Sequence, residues 1–195
     1  MAPGFRLQDD TGASVSLEDF RGRRVVLFFY PKASTPGCTV EACEFRDALP
    51  RFAADGVVVL GISPDPVRTQ AKFKAAQGLT YPLLADVETT TCQAYEVWQQ
   101  KLFWGRHYMG VIRSTFVIGP DGRLEQEWRD VPHEGHAAYV SAWLRGEPLP
   151  ELPTGKARGA AATKPAARKA AAGKPAAKKA AAGKRPATQP AARKK

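Results

Sequence analysis

Two continuous apolar runs organise the chain, Val25-Val26-Leu27-Phe28-Phe29-Tyr30 and Val57-Val58-Val59-Leu60-Gly61-Ile62. Neither alternates with polar residues, and both are rich in β-branched or aromatic side chains, so they read as strands covered on both faces and central in a sheet. Between them, Cys38 to Ala54 carries Ala42, Phe45, Leu49 and Phe52 at three- and four-residue spacing, which predicts a helix with one apolar side. Strand, helix, strand implies a right-handed crossover in a largely parallel sheet. A second helix is predicted from Pro66 to Gln77, with Pro66 in its first turn and Gly78 as the stop, and a third over about Glu88 to Val97. Ser114 to Ile118 and Leu124 to Trp128, separated by the turn residues Gly119-Pro120-Asp121-Gly122, predict a β-hairpin with a loop slightly longer than the tightest kind. A last helix is expected from roughly Glu134 to Arg145.

Parallel crossovers followed by an antiparallel hairpin and a helix are what a thioredoxin-like α/β fold requires, with a central mixed sheet flanked by helices. The chain has 195 residues with 44% hydrophobic and 9% aromatic content, enough for one domain with its own core. Three cysteines are too few for the disulfide framework of a small secreted protein, and the odd count leaves one unpaired, so a reducing compartment fits. Met1 to Arg6 reaches polar residues at once, and no apolar stretch elsewhere approaches a membrane span. The expectation is a soluble, cytoplasmic protein with no membrane partner.

Charge divides the chain in two. Residues 156–195 hold thirteen of the 29 Lys and Arg and no acidic residue, so residues 1–155 keep 16 basic against 19 acidic groups, a net of −3. The basic segment is low complexity: Lys164 to Gly173 recurs as Lys174 to Gly183 with one Arg-to-Lys change. It has no large apolar side chain whose burial could offset roughly 1–2 kcal/mol per residue of backbone entropy, and Pro165, Pro175, Pro186 and Pro190 confine any helix to short pieces. The domain organisation expected is therefore a folded unit over 1–155 and a disordered tail over 156–195.

The candidate chemistry lies in Pro31-Lys32-Ala33-Ser34-Thr35-Pro36-Gly37-Cys38. Thr35 is placed at a helix N-cap and Pro36 at the first helical position, which sets Cys38 in the first turn. There the unpaired backbone N–H groups and the positive end of the helix dipole favour a thiolate, the nucleophilic form of cysteine. Cys43 lies five positions on, where helix geometry puts Cα atoms about 8.6 Å apart, beyond the limit of roughly 7 Å for a disulfide. If the two thiols react, the first turns must unwind.

This segment resembles the active site of peroxiredoxins, whose Pro-x3-Thr-x2-Cys pattern is matched by Pro31, Thr35 and Cys38, and Cys-x4-Cys resembles the bacterioferritin comigratory protein, or PrxQ, subfamily. The likeness extends through Glu41-Ala42-Cys43 and Phe45-Arg46-Asp47 and returns at Tyr108-Met109-Gly110 and Arg113-Ser114-Thr115-Phe116, covering residues 4–147. It departs at Ala33-Ser34, where that subfamily often carries acidic residues. The resemblance implies a thiol peroxidase acting on hydrogen peroxide and organic hydroperoxides without metal or other cofactor. Cys38 would attack the peroxide and become a sulfenic acid. Thr35 would hold the substrate, Pro31 would shield the site, and Arg113 would stabilise thiolate and developing oxyanion. Cys43 would condense with the sulfenic acid, and thioredoxin or a similar dithiol would reduce the disulfide. An internal disulfide implies a monomer.

Other residues carry weaker signals. Cys92 reads as a buried small hydrophobe, and Lys32, Glu41, Arg46 and Tyr108 as site-lining or simply packed or solvated. His133-x2-His136 with His107 lacks a thiol or carboxylate partner at metal-ligand spacing, and the chain has no Cys-x-x-Cys of the thiol–disulfide oxidoreductase kind. The Lys-Pro-Ala-Ala units of the tail resemble linker-histone and bacterial histone-like C-terminal segments, which implies salt-sensitive contact with DNA or another polyanion through 156–195 and a nucleoid location. A second expectation is accordingly a DNA-associated protective or redox-sensing protein whose peroxidase activity is secondary.

Overall fold

A computed structural model describes residues 1–153. The basic tail expected over 156–195 lies outside the described residues. The elements run β1 (Arg6–Asp9), β2 (Ser14–Ser16), a 3-10 turn (Leu17–Phe20), β3 (Arg24–Phe29), α1 (Pro36–Ala54), β4 (Val57–Ser63), α2 (Val67–Gln77), β5 (Leu83–Ala85), α3 (Thr90–Ala94), β6 (Trp98–Phe103), β7 (Arg106–Val111), β8 (Ser114–Ile118), β9 (Leu124–Arg129) and α4 (His136–Arg145). Seven strands form one mixed sheet in the order β2-β1-β5-β4-β3-β8-β9, with β3, β4 and β5 parallel and the outer pairs antiparallel. Among the described residues, β6 and β7 pair only with each other, as a separate ribbon.

The two apolar runs are the inner strands β3 and β4, and the alternation along β3 explains why. Val26, Phe28 and Tyr30 enter one core with Phe45 and Phe52 of α1, Phe73 of α2 and Val140 of α4. Val25, Leu27 and Phe29 enter the other with Leu60, Ile62, Phe116 and, from the α3 region, Cys92, Tyr95 and Val97. Both faces of the strand are dry, so both sets are apolar; each such side chain stabilises by about 1.5–3 kcal/mol. Gly61 in β4 is a packing requirement, since a Cβ there would lie 2.8 Å from the Phe28 ring and 2.9 Å from Leu83. This is the thioredoxin-like α/β arrangement that the pattern predicts.

α1 begins at Pro36 with Thr35 as its N-cap, as the capping pattern predicts. Two differences from the sequence expectations have local causes. α2 begins at Val67, because Pro66 keeps an extended backbone and serves as the cap. α3 is five residues long instead of ten. The Asp86 carboxylate collects the N–H groups of Thr91 and Cys92 at its start, and Arg129 takes the carbonyls of Tyr95 and Glu96 at its end. Val97 stays in the second core and Trp98 begins the ribbon, which periodicity alone does not reveal. Among the described residues, no helix is long and apolar enough to cross a membrane.

Candidate active site

The loop after β3 turns sharply at Ser34, whose φ of +61° lies in the left-handed region. Asp65, from the loop after β4, fixes the turn by accepting the Ala33 N–H at 2.7 Å and the Ser63 hydroxyl at 2.7 Å. Ser63 in turn accepts from the buried amide of Gln70 at 2.8 Å. A polar chain through β4 and α2 thus holds the segment that delivers Thr35 to the helix start. No local pattern marks Asp65 or Gln70 for this task.

Cys38 is the third residue of α1 and only 2% exposed. The first-turn N–H groups of a helix have no intrahelical partner, so the thiol faces a region of positive potential. Thr35 occupies the N-cap, but its hydroxyl makes no cap bond and donates instead to the Lys32 carbonyl at 2.9 Å. Its proton is thereby committed, which leaves the oxygen as an acceptor. His133 closes over the same turn: a Cβ on Gly37 would lie 3.2 Å from its ring.

Arg113, in the link between β7 and β8, comes to the site although 75 residues separate it from Cys38. Its Nη2 donates to Cys38 Sγ at 3.3 Å, and its Nη1 pairs with Glu41 Oε2. Burial opposes its charge, but Glu41 and Cys38 hold its pKa above the usual guanidinium value. Arg113 therefore bridges two groups that can each be anionic, one helical turn apart on α1.

Glu41 is fully buried, and its Oε1 has no hydrogen-bond partner among the described residues. Burial pushes its carboxyl up to about 7, with Glu44 adding to the push and Arg113 opposing it without prevailing. The salt bridge and the raised value are compatible, since one guanidinium cannot fully compensate both a buried carboxylate and a thiolate. The folded protein holds this proton more tightly than the unfolded chain, whose carboxyl titrates near 4.5. The associated stability is full below about 4.5 and is lost as pH rises through about 7. Urea denaturation across that window should show a decline in unfolding free energy that Glu41→Gln removes; superimposable profiles for the two proteins would mean that folding leaves the proton affinity of Glu41 unchanged.

The remaining sequence candidates separate. Cys43 is half-buried on α1, its Sγ 3.8 Å from Gln77 Oε1, and all three cysteines are free thiols. Cys92 is fully buried under Asp86, and burial together with that carboxylate pushes its thiol far above the usual range. Arg46 turns away from Cys38 to the Gln77 carbonyl and Asp47. His136 is buried against Thr115, and burial with the nearby Arg113 pushes it down to about 3, whereas His133 is exposed.

Pro31 and Lys32 form one wall of a cleft of about 410 Å³, completed by Pro64 to Pro66 and by Trp98, Lys101, Tyr108, Met109 and Val111 of the ribbon. Cys38 does not line the cleft, but Lys101 of its wall lies within electrostatic reach of that thiol. Lys101 donates to the Val111 carbonyl at 2.8 Å, and burial lowers its pKa, with Asp130 resisting and Arg113 reinforcing the effect. The ribbon wall is the part of the surroundings that sequence reasoning missed, apart from Tyr108.

Residues 1–127 match the AhpC/TSA family. The chain is 46% identical over 144 residues to peroxiredoxin Bcp of Bacillus subtilis, covering 74% of this chain and 92% of that one. It is 41% identical over 145 residues to peroxiredoxin Bcp of Escherichia coli, covering 74% and 93%. Among solved structures, the Xanthomonas campestris bacterioferritin comigratory protein, described for its alkyl peroxide reduction activity, superposes with a TM-score of 0.70 at 38% identity, over 73% of this chain and 90% of that one. BcpB from Mycobacterium tuberculosis gives a TM-score of 0.66 at 40% identity over 74% and 94%.

Proposed function

Because the chain belongs to the AhpC/TSA family, as a peroxiredoxin of the Bcp/PrxQ type and hence a peroxidase that uses a peroxide and a thiol reductant, we propose that Cys38 is its nucleophile and Cys43 its resolving thiol. The observation that carries the assignment is the Arg113 guanidinium 3.3 Å from the Cys38 sulfur at a helix N-terminus. The Cys38 thiolate attacks one peroxide oxygen, the O–O bond breaks, and the other oxygen leaves as alkoxide or hydroxide and takes up a proton. Cys38 becomes a sulfenic acid. Thr35, with its own proton on Lys32, accepts the hydrogen bond of the incoming O–H, and Arg113 stabilises the leaving oxygen as charge develops on it. Pro31 shields the thiol from water.

Cys43 then attacks the sulfenic sulfur and releases water, giving a Cys38–Cys43 disulfide that thioredoxin or a similar dithiol reduces by exchange. No second subunit is required, which favours a monomer. The organic part of an alkyl hydroperoxide fits the adjoining cleft, whose Trp98, Met109 and Val111 are apolar. Peptide mass mapping after one equivalent of peroxide tests the scheme. It should return a Cys38–Cys43 linkage, whereas a Cys92 linkage or a lasting sulfenic acid would displace Cys43 from its role.

The thirteen basic residues of 156–195 support a further reading, non-specific DNA binding that holds the peroxidase near nucleic acid. Full-length protein should retard duplex DNA at low salt and release it as salt rises, and a 1–155 truncation should not. Equal retardation by both would remove the tail from consideration.

A further inference from the structure

We propose, on the assignment of Cys38 and Cys43 made above, that Tyr81, Arg46 and Gln77 form a latch on the helical turn carrying Cys43, and that releasing this latch governs the closure of the disulfide. The Tyr81 hydroxyl donates to the Ala42 carbonyl at 2.8 Å. Arg46 Nη1 donates to the Gln77 carbonyl at 2.6 Å, and the Cys43 thiol lies 3.8 Å from the Gln77 side-chain oxygen. All three contacts join residues 42–46 to residues 77–81, the end of α2 and the start of the link to β5.

Each partner is itself well anchored. Tyr81 is 2% exposed and meets the Phe28 ring of β3 edge-on at 5.8 Å, and burial holds its phenol well above the usual range, so it remains a donor at neutral pH. The Gln77 carbonyl lies at the C-terminus of α2, which Gly78 ends with a φ of +60°. A helix C-terminus concentrates partial negative charge, so a guanidinium there makes a charge-assisted bond stronger than a neutral one.

The two ends of the reactive segment respond differently to chemistry. At the Cys38 end, Arg113 is held partly by the thiolate; once the sulfur is a neutral sulfenic acid, that charge pairing is gone and the end loosens. At the Cys43 end, none of the three contacts involves Cys38, so its oxidation leaves them in place. Closing it brings the Cα atoms from about 8.6 Å, the helical separation, to within roughly 7 Å, so the latched turn must unwind. In the forward step, Cys43–SH and Cys38–SOH give Cys38–S–S–Cys43 and water. In the competing step, Cys38–SOH and a second peroxide give the sulfinic acid and an alcohol or water. A tighter latch lengthens the life of the sulfenic acid and shifts the balance toward the second step.

The test is single-turnover oxidation of full-length protein, followed by tryptophan fluorescence and by mass, in Tyr81→Phe and Arg46→Met. Tyr81→Phe leaves the Ala42 carbonyl its helical N–H partner, and Arg46→Met keeps the apolar stem. The first phase, peroxide reacting with Cys38, should be unchanged in both. The closure phase should be roughly two- to tenfold faster in each, and the sulfinic fraction at excess peroxide should fall in proportion. Arg145→Ala serves as control, because it removes an ion pair with Asp55 at the far end of α1. Equal acceleration in that control would mean that the whole helix was loosened, and would overturn the latch, as would unchanged closure in both latch variants. If Tyr81→Phe does not fold, Arg46→Met decides alone. Wild-type protein that forms no Cys38–Cys43 disulfide would instead remove the underlying assignment of the two thiols.

Discussion

Cys38→Ser is expected to lower peroxide turnover with a dithiol reductant by at least about a thousandfold, because a serine hydroxyl is almost never ionised at neutral pH and is a weak nucleophile toward oxygen. The fold should survive. Serine is close to cysteine in size, and its hydroxyl can still accept from Arg113, so the buried guanidinium keeps a partner. The other thiols are poorly placed to substitute. Cys92 is fully buried beside the Asp86 carboxylate, and Cys43 lies beyond the first turn, with its sulfur toward Gln77. Turnover within tenfold of wild type, measured in a coupled thioredoxin assay, would transfer the nucleophile's role to one of those two.

Arg113→Met is expected to slow the reaction of Cys38 with peroxide by about a hundred- to a thousandfold, the usual cost of removing one charged donor from a developing oxyanion. The same substitution strands Glu41, whose side chain is fully buried and whose second oxygen already lacks a partner. Breaking a buried pair from one side typically costs about 3–5 kcal/mol, and here the protonated carboxyl relieves part of that. The stability deficit should therefore be larger at pH 8 than at pH 6, since Glu41 titrates near 7. Adding Glu41→Gln should remove the pH dependence of the deficit and leave the rate defect untouched. If the double variant regains the rate, Arg113 acts only by holding the helix in place. Arg113→Lys should recover no more than about a tenth of the activity, since an ammonium cannot reach the sulfur and Glu41 together in the guanidinium's planar fork.

The basic segment changes how the whole chain should be read. The net charge of +10 comes from residues 156–195, while residues 1–155 carry a net of −3. A column or gel measurement on the full chain therefore reports residues 156–195 more than the peroxidase. Salt dependence of any polyanion binding should follow the tail, while peroxide kinetics should follow the environment of Cys38.

The helix end at Cys38 was legible because capping is a local transaction. Thr35, Pro36 and the apolar spacing along α1 each act within a few residues, and together they set the cysteine in the first turn. The same holds for β3, β4, the β8–β9 hairpin and α4, whose patterns survive any tertiary context that buries one or both faces. Thr35 shows where local reading stops. Its place was legible, but the direction of its hydroxyl depends on the Lys32 carbonyl, which the positive φ of Ser34 presents to it.

Short elements were less legible for a physical reason. The three-residue strands β2 and β5 carry too few positions to show a period, and the ribbon of β6 and β7 mixes polar and apolar residues. The segment 88–97 has helical spacing, yet Asp86 and Arg129 draw its N–H and carbonyl groups elsewhere, and only a turn and a half remains.

By itself, then, the sequence determined the layer architecture, the candidate cysteine at a helix start, the second thiol too far along that helix to reach it, and the separation of charge between residues 1–155 and 156–195. Each follows from spacing along one segment or from composition, where the interacting groups are neighbours in the chain. Tertiary structure alone decided that Arg113 is shared between Cys38 and Glu41, that Asp65 pins the loop, that the ribbon walls a cleft, and that Tyr81 and Gln77 hold the Cys43 turn. Those contacts span between 31 and 75 positions, and their strength comes from burial and from the absence of competing water, properties that no segment possesses until the sheet and helices have closed around it.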